Sequence, residues 1–234
     1  MTDLKIFVLH YTKLVERKAS ILKQFQEQGI THFEFIELYD KDSLTPAQLQ
    51  KFESNLKLSE ISLFLKHIYV YHQISTKYDE ALILEDDAIL APNFLPTLNA
   101  YRQQLPSNYN LLFIGDGCGL HVPKELQKEG QNIYERGVDP VPWGGNGASK
   151  CTDSYMINKG CARQFTEQFT VGEKKTPYQI DHWINETARL LKSKVFWAEP
   201  TIVTQGSENQ TFRKVCGIDA PLAYLQFYKT QTQP

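Results

Sequence analysis

No apolar run in this 234-residue chain approaches the roughly 18–20 residues that a membrane-crossing helix needs. The start does not read as an export signal either: Met1-Thr2-Asp3-Leu4-Lys5 carries an acid and turns polar after a short apolar stretch. Both absences point to a cytoplasmic chain without a membrane span. The four cysteines, Cys118, Cys151, Cys161 and Cys216, lack the paired spacing of a metal site, and without export they are expected as reduced thiols. An excess of either charge is missing too. Lys and Arg number 25 against 27 Asp and Glu, a net charge of -2, which argues against a surface that coats nucleic acid or anionic lipid. Internal repeats and low-complexity tracts are absent, although Gln and Thr crowd the last residues from Gln226 onward in what reads as a frayed tail.

What is present is a chain rich enough in apolar residues (41%) to exclude disorder and long enough for one large domain. Lys5 to His10 reads as a buried strand, and Leu14 to Gln28 as a helix with Leu14, Ile21, Leu22 and Phe25 on one face. Gly29 supplies the left-handed stop, and Phe33 to Leu38 a second strand. Strand, helix and strand within about 35 residues make a βαβ unit and begin a mostly parallel sheet. Thr45-Pro46 opens a short helix, and Ser59 is expected to cap a longer one carrying Ile61, Phe64, Leu65, Ile68 and Ile74. Ala81 to Leu84 is an unbroken apolar run of the central parallel kind, and Leu111 to Ile114 repeats it. From Gly117 to Gly147 the Gly- and Pro-rich sequence reads as loops with short strands, anchored by Tyr134 and Trp143. Beyond it lie a strand at Ser154 to Ile157, helices at Gly160 to Phe169 and Tyr178 to Leu191, a strand at Val195 to Ala198 and a last segment at Thr201 to Thr204.

The sharpest feature is Glu85-Asp86-Asp87, which closes the Ala81–Leu84 run. Three adjoining carboxylates repel one another unless something positive sits among them. Ligands of open α/β sheets bind beyond the carboxyl ends of the strands, and Mn²⁺ or Mg²⁺ with a diphosphate suits carboxylate oxygens. Strand alternation would turn Glu85 and Asp87 one way and Asp86 the other; the bland alternative is a solvated strand end or helix N-terminus. Asp181-His182-Trp183 opens a helix after Thr176-Pro177. There Asp181 could serve as a general base or merely complement the helix dipole, and Trp183 could offer a face to a sugar. Asp40, after Tyr39 at a strand end, could bind a ribose or a base, or make a turn. Gly144-Gly145-Asn146-Gly147 lacks phosphate-loop spacing and reads as a flexible loop, and His67 as a packed or surface residue.

In this order the pieces resemble glycosyltransferase family 25, the lipopolysaccharide sugar transferases and collagen hydroxylysine galactosyltransferases. Val8-Leu9-His10-Tyr11 before Glu16-Arg17-Lys18 is similar to the family's opening. Ser59-Glu60-Ile61-Ser62-Leu63-Phe64-Leu65-Lys66-His67 is similar to its helix pattern, with Lys66 where Ser is usual. Leu82-Ile83-Leu84-Glu85-Asp86-Asp87 matches its acidic strand, Thr152-Asp153-Ser154-Tyr155-Met156-Ile157 a later strand, and Asp181, Pro200 and Gln205 fall in the family's order. The resemblance implies a GT-A-like (Rossmann-like) α/β fold of one domain over 1–234. Residues 1–116 would form its nucleotide-sugar and metal half, 117–225 its acceptor half and 226–234 the tail. It implies a UDP-sugar donor, commonly UDP-galactose or UDP-glucose, Mn²⁺ dependence, inversion at the anomeric carbon, and a glycan or hydroxylysine acceptor. A bacterial cytoplasm, or a host's for a viral chain, would fit equally.

The expected roles follow. Asp87 would bind the metal directly, with Glu85 and Asp86 sharing metal and ribose contacts. Leu9, His10, Tyr11, Arg17 and Asp40 would hold the uridine and diphosphate. Asp181 is the expected base, with Asp153 and Glu60 behind it. Two other classes compete. A nucleotidylyltransferase would carry a glycine-rich loop after the first strand, where His10-Tyr11-Thr12-Lys13-Leu14 has no glycine. A non-catalytic nucleotide- or carbohydrate-binding protein on the same fold would have no need of Glu85-Asp86-Asp87 together with Asp181.

Overall fold

The structure, a computed structural model, describes residues 4–117, 119–141, 147–172 and 175–207. Its elements in chain order are β1 (Lys5–Leu9), α1 (Val15–Glu27), β2 (Phe33–Ile36), α2 (Pro46–Leu49), α3 (Leu58–Lys77), β3 (Glu80–Glu85), β4 (Ala88–Leu90) and α4 (Phe94–Gln104). There follow β5 (Leu111–Phe113), a 3-10 turn (Lys124–Leu126), β6 (Ile133–Arg136), β7 (Ser154–Asn158), α5 (Lys159–Val171), α6 (Ile180–Leu191), β8 (Val195–Ala198) and β9 (Val203–Gln205). A seven-stranded sheet runs β2-β1-β3-β7-β5-β8-β6, and β4 pairs with β9 in a small second sheet. β1, β2, β3, β5 and β8 run one way; β7, in the middle, and β6, at the edge, run the other. The sheet is α/β and largely parallel, as the βαβ start implies. The Ala81–Leu84 run nevertheless has one parallel neighbour, β1, and one antiparallel neighbour, β7.

Alternation along the strands sorts the core into two layers. Phe7, Leu9, Ile83, Phe113, Tyr155 and Trp197 face one side, where α3, α5 and α6 add Phe64, Ile68, Tyr71, Phe165 and Ile184. Ile6, Val8, Leu82, Leu84, Leu112, Met156 and Phe196 face the other, against Ile21 and Phe25 of α1 and Phe94, Leu98 and Tyr101 of α4. Fully burying one such side chain stabilises by about 1.5–3 kcal/mol, so register errors that swap faces are strongly excluded.

Several local readings need correction. On α1 Leu22 is exposed, while Gln24 is buried because its amide hydrogen-bonds Ala88 O and Leu90 N of β4. The N-cap of α3 is Lys57, two residues before Ser59, and the Glu60 carboxylate accepts its N–H at 2.7 Å. Strand β2 stops at Ile36, because the Leu38 carbonyl turns toward Lys66. α4 and β4 leave little trace in the sequence. α4 starts from a left-handed Asn93 without a side-chain cap and has Pro96 in its first turn, and β4 is too short for a period. Gly29, at φ +68°, ends α1 as expected, and Thr45 caps α2 with Gln48 reaching back. Cys161 is a buried free thiol; Cys118, Cys216, Trp143 and Gly144 to Asn146 lie outside the described residues. No described helix is long and apolar enough to cross a membrane.

Candidate active site

The carboxyl ends of β1, β2, β3, β5 and β8 lie along one edge of the sheet. Antiparallel β7 brings its amino end, preceded by Thr152 and Asp153, to that same edge. Acids that follow the parallel strands or precede β7 are therefore gathered there, among them Asp40, Glu85, Asp86, Asp87, Asp116, Asp153 and Glu199. The fold buries several of them, and each has found a different partner.

Asp86 is committed on both oxygens. Oδ2 accepts from His10 Nδ1 at 2.9 Å and the Tyr11 N–H at 3.1 Å, and Oδ1 from Arg17 Nη1 at 2.8 Å. Against the cost of burial, these bonds hold its carboxyl below the usual range. Asp87 lies 3.8 Å from the same Arg17 nitrogen, so Asp86 and Asp87 face one cation together. The alternation expected of a strand fails here because the strand ends at Glu85 and the next two residues form a turn. One Asp87 oxygen takes the Ser207 hydroxyl; the other, Oδ1, is buried without a partner. Burial raises the Asp87 carboxyl, and Asp86 adds to the rise.

Glu85 accepts the Thr152 hydroxyl at 2.6 Å. It stays partly open, yet burial of its surroundings and the charges of Asp87, Asp153 and Asp86 push its carboxyl up. Asp153 is wholly buried and pushed up to about 8 by burial and by Asp116 and Asp87. Its Oδ2 accepts from Ser154, and its Oδ1 has no partner. Gly115 makes room for it: a Cβ there would sit 1.9 Å from Asp153 Oδ2.

Two clefts open above this floor. The first, about 230 Å³, is lined by Leu9, His10, Tyr11, Leu14, Arg17, Lys41, Ser59, Ser62, Leu63, Lys66, Glu85 and Asp86. The second, about 160 Å³, is lined by Glu60, Leu63, Glu85, Cys151, Thr152, Gln179, Ile180, Asp181 and Gln205. Leu63 and Glu85 belong to both, so the clefts adjoin at the end of β3.

The expected site residues thus divide. Leu9, His10, Tyr11, Arg17, Glu85 and Asp86 line the first cleft. Asp40 does not; it is tied to Lys66 Nζ at 2.9 Å and to the Thr12 hydroxyl and N–H. Asp181 and Glu60 line the second cleft, but both Glu60 oxygens are used, by Lys57 N and by Gln179 Nε2 at 2.7 Å. Asp181 engages one oxygen with the N–H of His182 and leaves the other open. Asp153 lines neither of these clefts. Trp183 is not a sugar platform: it is buried against Phe64 (5.2 Å between centroids) and Phe165 (5.5 Å). His67 is a core residue bonded to the Tyr155 hydroxyl at 2.7 Å, and burial drives its pKa down to about 3.

Sequence reasoning assigned no role to Lys41, Ser62, Asp116, Lys150 or Glu199. A signal existed for Asp116, which ends an apolar strand as Glu85 does. Lys150, buried over the Trp197 ring with Nζ 3.6 Å from Glu199, had none.

A divalent cation can be tested against these donors. Among the described residues no three His, Cys, Asp or Glu side chains form a ready-made cage. The buried, unpartnered Asp87 Oδ1, near the Glu85 and Asp153 carboxyls that burial and then neighbouring charge push up, still fits a hard cation that takes one or two carboxylates and completes its shell with phosphate and water.

Residues 3–129 match the family "Glycosyltransferase family 25 (LPS biosynthesis protein)", more than half of the chain. The chain belongs to glycosyltransferase family 25. Consistent with that membership, it is 29% identical over 146 residues to a protein of Acanthamoeba polyphaga mimivirus that carries a provisional glycosyltransferase designation; the match takes in 58% of this chain and 43% of that protein. The chain is also similar, at low TM-score, to two solved structures. A glycosyltransferase involved in glycosylation of the major capsid of PBCV-1 gives a TM-score of 0.38 at 11% identity, covering 85% of this chain and 94% of its own. Mouse xyloside xylosyltransferase 1 in its apo form gives 0.40 at 9%, covering 81% and 82%. Neither bears on the site.

Proposed function

We propose that this glycosyltransferase moves a hexose, galactose or glucose, from a UDP-sugar to an acceptor hydroxyl on a glycan or hydroxylysine, with inversion and with help from Mn²⁺ or Mg²⁺. The observation that carries the reading is the junction of the two clefts at Leu63 and Glu85. A donor in the first cleft and an acceptor in the second would meet beside the acidic turn.

In this reading Leu9, His10 and Tyr11 bound the nucleoside side of the first cleft, and Arg17 faces the diphosphate. Asp87 and Glu85 would hold the cation, which when bound neutralises charge on the departing diphosphate. Asp86, with both oxygens engaged, fixes Arg17 and His10 rather than giving its oxygens to a metal. Asp40 supports the cleft wall. Asp181 takes the proton of the acceptor hydroxyl, because it alone of the three expected bases lines the acceptor cleft with an oxygen to spare. Inversion by one displacement requires that base to stand across from the leaving group.

The test is a panel of UDP- and GDP-sugars assayed for Mn²⁺-dependent hydrolysis, which needs no acceptor. Hydrolysis of UDP-galactose or UDP-glucose is the expected result. With an acceptor in hand, Asp181→Asn should cut turnover by about a hundred- to ten-thousand-fold and leave UDP binding nearly unchanged. UDP binding without turnover over a broad acceptor panel would replace the enzyme reading with that of a binding protein.

A further inference from the structure

Lys66 stands where a serine is usual in the resemblance described above, and among the described residues it is one of the most buried lysines, 3% exposed. Its ammonium donates to the Ile36 carbonyl at 3.3 Å, the Leu38 carbonyl at 2.5 Å and Asp40 Oδ1 at 2.9 Å. Between Leu38 and Asp40 lies Tyr39, with φ +62°, a left-handed backbone that a bulky non-glycine residue adopts only at a cost. The two groups flanking this residue are thus held by one ammonium. Asp40 Oδ2 passes the restraint on to the Thr12 N–H and hydroxyl, just after the cleft-lining His10 and Tyr11. The next residue, Lys41, lies over the Tyr11 ring at 4.9 Å and lines the same cleft.

We infer that Lys66 is a positioning residue for donor recognition: it clamps the strained turn at Tyr39 and so holds Tyr11 and Lys41 as the nucleoside-facing wall of the first cleft. This rests on the proposed reading of that cleft as the donor site. Strain of this kind persists only where the surroundings over-determine it, and three bonds from one buried cation do so. Without the clamp, the turn relaxes out of the left-handed region and the binding-competent wall becomes a minor state, which weakens apparent affinity by the fraction lost. The cost of a left-handed non-glycine residue corresponds to about tenfold in that equilibrium.

The experiment measures UDP affinity, with Mn²⁺ present, by titration calorimetry on the full chain, together with hydrogen exchange of residues 37–42. Lys66→Met should bind UDP about tenfold more weakly and lose protection at 37–42. Adding Tyr39→Gly should recover part of that affinity in the Lys66→Met background and give no gain in the wild type, because glycine holds positive φ without a clamp. If Lys66→Met does not fold, Lys66→Gln, which keeps an amide donor and loses the charge, carries the same expectation. Unchanged UDP affinity in the Lys66 variant, or an equal effect of Tyr39→Gly in both backgrounds, overturns the clamp and leaves the donor reading standing. Failure of the wild type to bind UDP overturns the donor reading and the clamp with it.

Discussion

Asp153 and Asp86 show how far neighbouring carboxyls can diverge. The Asp153 carboxyl in the folded chain lies near 8 against an ordinary value of 3.8, so the folded state holds a proton that the unfolded state has released between those values. Its contribution to stability is fully present below pH 3.8 and is lost as pH rises through about 8. In metal-free buffer, melting temperature should therefore fall as pH climbs across that window, and Asp153→Asn should flatten the fall; an unchanged slope would show that Asp153 is not protonated when buried. Asp86 runs the other way, because His10 and Arg17 hold its carboxyl low. Its stabilisation is present above the ordinary carboxylate range and is lost as pH falls through its folded value. Asp86→Asn should cost the apo protein about 2 kcal/mol, whereas Asp87→Asn, removing an under-compensated charge, should be neutral or stabilising. Denaturant melts of the two variants at pH 7 check the contrast. The sequence shows that three acids must share a strand end. It cannot show how they divide, since their partners lie between 67 and 120 positions away.

The acidic turn is held from behind by a helix. Gln24 of α1 mimics a strand neighbour for β4, its amide meeting Ala88 O at 3.1 Å and Leu90 N at 2.7 Å, and Gln28 repeats this with Ala91 O and Phe94 N. Gln24→Met keeps the volume and orphans two buried backbone groups. Stability should drop by about 2–4 kcal/mol, and the nucleotide-dependent gain in melting temperature should shrink because β4 follows Asp87 directly. A variant as stable as wild type would mean the amide is dispensable. Elements with a strong period or a cap were legible in the sequence: β1, α1 with Gly29, α2 with Thr45, α3, α5 and α6. β4 and α4 were not, because their signals are tertiary. Gln24 reads as a surface residue until β4 is placed beside it, and Leu22, apolar and in helical phase, finds no partner.

Over the whole molecule, both stretches of chain build one sheet: β5, from the first, lies between β7 and β8, from the second. The crossing brings Thr152, Asp181 and Gln205 to the edge where β1 and β3 deliver His10 and Glu85, and it makes the two clefts adjoin. The location of the proposed donor-binding residues beyond β1 and β3 follows from the βαβ pattern. The closure of the second cleft by α6 and β9 does not, since it depends on the reversed direction of β7. In the proposed reading the acidic turn and Arg17 together receive a nucleotide diphosphate with a divalent cation. The most direct test of that reading is the melting temperature of wild type and Asp87→Asn with UDP and Mn²⁺. At a hundred times the dissociation constant the wild type should gain about 2.7 kcal/mol, a rise of about 5–10 °C, and Asp87→Asn should gain little. No shift in the wild type, or an equal shift in both proteins, would show that Asp87 holds no cation for the nucleotide.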